Sequence, residues 1–261
     1  MKKLLLLAAS AAMIALAGCR STTPGLIFSL DFESEQEVLN PCVGPKGTLR
    51  QQKALTFADG KEGKALRVEA GGPLLVYELP PSFLQKSGCV EFWAKLEGNK
   101  KAYGCADPSF YCIKFANGEE NLVQFTSNNG MACCGLYGRM IHHERITHKG
   151  WGRSLSYAEA LGDDIAGWHH YAFVWNVDGV TGYKTKDSKS SPAVMFVDGK
   201  PHCDVNLMSG PADSIPSLLN SAAKASELGF PLTRGKSASP FLIDSFRIWD
   251  YDKVPPAPAE D

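Results

Sequence analysis

The feature that most constrains this chain is a pair of segments in its C-terminal half, Trp168-His-His-Tyr-Ala-Phe-Val-Trp-Asn176 and Ala193-Val-Met-Phe-Val-Asp-Gly-Lys200. The first alternates two apolar sets, Trp168, Ala172 and Val174 against Tyr171, Phe173 and Trp175, so a strand here must be covered on both faces. Such a strand belongs to the inside of a layered sheet. The second segment ends in Asp198-Gly199, a pair that accepts the two positive φ angles of a type I′ turn, and so predicts a tight hairpin into a strand over residues 201–205.

Further strands follow from period-two alternation. Leu26, Phe28, Leu30 and Phe32 alternate with Ile27, Ser29 and Asp31, and Val90, Phe92, Ala94 and Leu96 alternate with Cys89, Glu91, Trp93 and Lys95. Residues 54–57, 65–69, 74–79, 111–115, 122–127, 136–142 and 241–249 also read as strands. Short helical turns are expected at 82–85, 156–161 and 217–224, whereas 33–63 and 208–239 read as largely irregular. About a dozen short strands, with no internal repeat and no linker, predict an all-β two-sheet antiparallel β-sandwich.

The first eighteen residues are excluded from that fold. Lys2 and Lys3 precede an apolar run from Leu4 to Ala17 that is too short for a stop-transfer helix. The run ends in Leu16-Ala17-Gly18-Cys19, which resembles the lipobox of bacterial lipoprotein signal peptides. The resemblance implies that Cys19 becomes the acylated first residue of the mature chain, followed by a tether over residues 19–25. Two or three acyl chains, at about 0.8 kcal/mol per buried CH₂, give stable membrane anchoring. Arg20, rather than Asp, follows Cys19, which for enteric-type sorting implies the outer membrane.

Charge and cysteine content narrow the partners. The formal charge is −1, and removal of residues 1–18 leaves 25 basic against 28 acidic residues. A mildly acidic surface is the opposite of what phosphate backbones demand, so no nucleic-acid partner is expected. Cys42, Cys89, Cys105, Cys112, Cys133, Cys134 and Cys203 remain besides Cys19, and export makes disulfides among them plausible without fixing their pairing. His143 and His148 have zinc-finger histidine spacing, but no C-x₂₋₄-C pair accompanies them.

Four segments in order carry a wider resemblance: the N-terminal Leu-x-Phe-x-Leu-Asp-Phe strand, Val90-Glu-Phe-Trp-Ala-Lys95, the Trp168-His-His-Tyr-Ala172 region with Phe196-Val-Asp-Gly199, and Ile243-Asp-Ser-Phe-Arg-Ile-Trp249. Together they resemble the concanavalin A-like, laminin G-like jelly-roll superfamily over residues 26–251. The Cys-rich stretch within 97–167 stands out as an elaboration, and 252–261 reads as a Pro-rich tail. The superfamily includes lectin-like modules, adhesion domains and glycan-cleaving enzymes. Its glucanase branch carries Glu-x-Asp-x-(x)-Glu on one strand, where alternate carboxylates share a face. No Glu-x-Asp occurs in this chain, nor the Gln-x-His of the alginate lyases. Glu33, Glu35 and Glu37 lie in the first loop and read as solvated charge, while His169 and His170 read as hydrogen-bonded structural residues.

For many members the resemblance implies a calcium ion joining the first and last strands, here through Asp244 with Asp31 as a second carboxylate. Aromatic platforms for a ligand are expected at Tyr103, Tyr137, Trp151 and Tyr157 in the elaborated loops. The reading that results is a non-catalytic, lipid-anchored envelope protein whose jelly roll binds a carbohydrate or a surface protein. An atypical hydrolase or lyase, with acids drawn from separate strands, is the enzymatic alternative. A structural envelope protein is the third.

Overall fold

A computed structural model describes residues 23–50, 53–69, 74–80, 86–97, 112–115, 124–128, 131–135, 155–156, 164, 166–185, 187–191, 193–204, 226–230 and 240–257. The expected leader over 1–18, Cys19, the strand at 136–142 and the helical turns at 82–85 and 217–224 lie outside them.

In chain order the elements are β1 (Leu26–Leu30), α1 (Glu35–Leu39), β2 (Gly47–Leu49), β3 (Thr56–Asp59), β4 (Lys64–Val68), β5 (Leu75–Leu79), β6 (Ser87–Leu96) and β7 (Cys112–Phe115). There follow β8 (Gln124–Asn128), β9 (Met131–Gly135), β10 (Leu155–Ser156), β11 (Trp168–Asn176), β12 (Ala193–Val197), β13 (Lys200–Asp204), β14 (Ser226–Phe230) and β15 (Phe241–Trp249). One sheet runs β13-β12-β11-β6-β15-β4-β3 with β1 also paired to β15, and the other runs β10-β9-β8-β7-β14-β5-β2. The fold is the expected all-β sandwich of two antiparallel sheets.

Its core lies between the sheets. Phe92, Tyr171, Phe173, Trp175, Ile243, Phe246 and Ile248 from the first sheet share one buried cluster with Leu75, Tyr77, Leu228 and Phe230 from the second. Edge-to-face ring pairs cross the gap, with centroids 5.0 Å apart for both Phe230–Phe246 and Phe28–Tyr77. Such pairs contribute about 0.5–1.5 kcal/mol each beyond the area they bury. The Tyr77 hydroxyl donates to the Val38 carbonyl at 2.6 Å, so its burial leaves no unpaired polar group.

The strand β15 organises the first sheet. Its first half pairs with β4 and its second half with β1, while β6 follows the other edge. The change of partner coincides with a register shift between Asp244 and Arg247 and with a positive φ of 51° at Ser245. A bulge there lets one long strand serve two neighbours.

The hairpin reading is borne out. Asp198 and Gly199 have φ of 49° and 74°, and Val197 pairs with Lys200 across a two-residue loop. Elsewhere the structure adds to the expectations. Glu35 to Leu39 form a short helix whose N-cap, Ser34, accepts from the Glu37 N–H at 3.2 Å, so the acidic run read as solvated charge is partly a cap. Phe32 has φ of 58°, which ends β1 two residues early. β14 falls inside the run read as irregular, and residues 131–135, read as loop, form β9.

Candidate functional site

The pleat of β6, β11 and β15 turns alternate side chains away from the core. Register places them in rows: Trp168, Lys95 and Leu242; then His170, Trp93 and Asp244; then Ala172, Glu91 and Arg247; then Val174, Cys89 and Trp249. The last of these rows is closed over. Cys89, Val174, Val194, Phe196 and Trp249 pack with Val180 from the loop that follows β11, and Tyr183 of that loop meets Phe196 edge to face. Asp252 pins this cover, because its Oδ2 accepts from Asn176 Nδ2 at 3.0 Å and from the Thr181 N–H at 2.7 Å. The first two rows stay half open, with Trp93, Lys95, Trp168 and His170 each partly exposed.

Glu91 marks the boundary between the closed and open halves. Its Oε1 accepts from Trp249 Nε1 at 2.8 Å and from Lys253 Nζ at 2.5 Å, and its Oε2 lies 3.5 Å from His170 Nε2. Burial disfavours its charge, but the hydrogen bonds from His170 and Lys253 outweigh burial and hold the carboxyl down at about 2. Lys253 Nζ also lies 3.9 Å from the Trp249 ring centroid. Two residues of the expected tail are thereby docked, and Pro255 beyond them is buried.

Around Trp93 the open half is aromatic and cationic. The Trp93 ring lies 5.3 Å from that of His170, and Lys61 Nζ stands 4.6 Å from the Trp93 centroid. Lys61 arrives from the β3–β4 turn, where its backbone N–H donates to Asp244 Oδ2 at 2.8 Å.

His169, one residue on, faces the other way and is fully engaged. Its Nδ1 meets Asp198 Oδ2 at 2.7 Å and its Nε2 meets the Asp164 carbonyl at 2.6 Å. Both partners are acceptors, so the arrangement favours donation from both ring nitrogens and hence the imidazolium form. Burial opposes that charge, but the Asp198 carboxylate and the Asp164 carbonyl outweigh it and lift the pKa above the ordinary histidine value. Asp198 is correspondingly lowered, its hydrogen bond to His169 overcoming the cost of burial. The structural reading of His169 is borne out, and its role is to tie the end of the elaborated segment to the Asp-Gly hairpin.

The carboxylates expected to hold calcium are otherwise employed. Asp244 Oδ2 accepts from the backbone N–H groups of Lys61 and Glu62, at 2.8 and 3.1 Å, and Asp244 Oδ1 lies 3.4 Å from the Ser245 hydroxyl. Burial, with Glu33 nearby, raises its pKa despite those bonds. Asp31 pairs with Arg247 at 2.8 Å. N–H donors and a guanidinium thus stand where a hard cation would need oxygen ligands, and as arranged the two residues do not fit calcium. Among the described residues no group of three or more His, Cys, Asp or Glu could hold a metal.

Tyr103, Tyr137, Trp151 and Tyr157 lie outside the described residues. So do the side chains of Cys112, Cys133, Cys134 and Cys203, while Cys89 is a free thiol buried under the loop cover. Strand alternation puts Trp93, Lys95 and Trp168 on strand faces but does not by itself give them a role. A signal was present: a tryptophan on the polar face of an amphipathic strand has no core to fill.

Glycoside hydrolysis needs one carboxyl able to give a proton and a second to act as nucleophile or base. Glu91, beside the open face, is ionised at neutral pH and engaged by Trp249, Lys253 and His170, and the Asp244 carboxylate caps backbone. Neither is offered to a substrate.

No protein-family model and no curated protein matches this sequence. Among solved structures, the binding domain of botulinum neurotoxin DC in complex with rat synaptotagmin II is similar at TM-score 0.58 and 12% identity, over 88% of this chain and 49% of that one. The botulinum neurotoxin DC binding domain in complex with SialylT gives TM-score 0.56 at 11% identity, over 88% and 48%. The binding domain of Paraclostridial Mosquitocidal Protein 1 gives 0.52 at 13% identity, over 88% and 49%. This chain spans about half the length of those chains. What it shares with them, at such identities, is the two-sheet β-sandwich itself.

Proposed function

We propose that this protein is a non-catalytic binding module of the bacterial envelope, anchored through acylated Cys19 and presenting the open half of its larger sheet to a carbohydrate. The observation that carries the reading is the pair of half-exposed indoles, Trp93 and Trp168, set diagonally on neighbouring strands of the outward face beside His170 and Lys95. Solvated sheet faces are ordinarily polar. A flat indole there presents a surface on which the C–H face of a sugar ring can pack, while neighbouring polar groups orient its hydroxyls. The laminin G-like motifs and the fold shared with toxin binding domains, one in complex with SialylT, support the same reading.

The full chain in mild detergent, applied to a glycan array with a parallel reducing-sugar assay, tests it. Retention of a glycan class that is lost in Trp168→Ala, with no sugar released, is expected. Release of sugar overturns the non-catalytic assignment, and failure of the folded chain to retain any glycan overturns the ligand assignment. For the anchor, Cys19→Ser should abolish metabolic palmitate labelling, and labelling that persists in the variant removes Cys19 from that role.

A further inference from the structure

The open face carries two ammonium groups that have no carboxylate partner among the described residues, Lys61 and Lys95. Their cationic neighbours are all matched: Arg67 with Glu69 and Glu97, Arg247 with Asp31, Lys253 with Glu91. Among the described residues Lys46, Lys86 and Lys200 also have no carboxylate partner, so what sets Lys61 and Lys95 apart is their place beside the indoles. Lys95 stands directly across from Trp168 in register, and Lys61 is fixed at both ends, its N–H on Asp244 and its Nζ over Trp93. From β11 across β6 to β15 is two strand spacings, about 10 Å, a span that accommodates one or two sugar rings.

A neutral sugar on this surface would take water from both ammonium groups and return only weak hydrogen bonds. A carboxylate replaces that water with charge-assisted bonds, which are roughly twice as strong as neutral ones. Trp93, already in contact with His170 and Lys61, serves to position the lysine, and Trp168 is the indole left for stacking. We infer that this face recognises an acidic glycan: the apolar side of the sugar ring lies on Trp168, and its carboxylate is taken by Lys95 and Lys61. The inference rests on the glycan-binding reading and specifies its ligand class.

The test uses the full chain and matched glycan pairs that differ only in a carboxylate, uronate against hexose and sialylated against asialo, with binding measured at low and high salt. Acidic members should be retained at least tenfold more strongly than their neutral partners. Lys61→Gln and Lys95→Gln should each weaken them about three- to tenfold, the range of one net hydrogen bond in water, and Trp168→Ala should weaken them tenfold or more. Added salt should erode the preference. Equal retention of neutral and acidic members, unchanged by either lysine variant, overturns the acidic specificity and leaves glycan binding standing. Retention of no glycan at all by the folded wild-type chain overturns both. Urea midpoints of the lysine variants matching wild type confirm that a weakened signal is not unfolding.

Discussion

At the scale of single residues, the ionisable groups on the strands are consumed by structure. Glu91 is the sharpest case, since a nearly buried carboxylate keeps its charge only because Lys253, His170 and Trp249 converge on it. A carboxyl depressed from 4.5 to about 2 contributes about 3 kcal/mol, present in full above the unfolded value and lost as pH falls through the folded one. Glu91→Gln should therefore lower the urea midpoint at neutral pH, and its deficit against wild type should shrink between about pH 4.5 and pH 2. A deficit unchanged across that range removes the electrostatic account. His169 has the opposite sign. Its raised pKa gives stability that is complete below 6.5 and lost as pH rises through the folded value, while lowered Asp198 gives stability lost as pH falls below 3.8. Amide protection over residues 166–170, taken relative to the base-catalysed intrinsic rate, should fall on the alkaline side in wild type and be low throughout in His169→Gln.

Two glycines set the terms at the scale of elements. Gly199 completes the type I′ turn at φ of 74°, and a side chain there costs about 1–2 kcal/mol. Gly88 is needed for space: it pairs with Trp175 across β6 and β11, and a Cβ added to it would fall on the Trp175 ring. Overpacking of that kind costs about 1–3 kcal/mol. Gly199→Ala and Gly88→Ala should thus both lower the denaturation midpoint, and Trp175→Phe should recover part of the loss in Gly88→Ala and none in Gly199→Ala. That difference separates crowding from backbone strain. The long, strongly alternating strands β6, β11 and β15 were legible within a residue or so at either end. β14 was not, because Glu227-Leu228-Gly229-Phe230 offers too few alternations to register in an irregular run. Its place between β5 and β7 comes from pairing with both.

At the scale of the molecule, the two sheets share one core, and neither can release its half without exposing the other. The four described tryptophans, Trp93, Trp168, Trp175 and Trp249, all belong to the larger sheet, so their fluorescence follows that sheet while far-ultraviolet circular dichroism follows both. The two signals should trace one coincident urea transition. Separate midpoints would mean that the sheets unfold independently.

The sequence by itself determined the class of fold, the two-sided burial of β11 from Ala172 to Trp175 and the Asp-Gly turn, because period-two alternation and turn chemistry are local properties of a chain. That Trp168, read on a covered face, stands partly exposed was not legible. Only the tertiary structure decided the rest. Whether Trp93 faces His170, whether Asp244 meets a cation or the N–H groups of a turn, and whether Lys61 stands over an indole all depend on register between strands far apart in the chain. Register is set by packing and pairing across the whole sheet, and a single strand's sequence does not carry it.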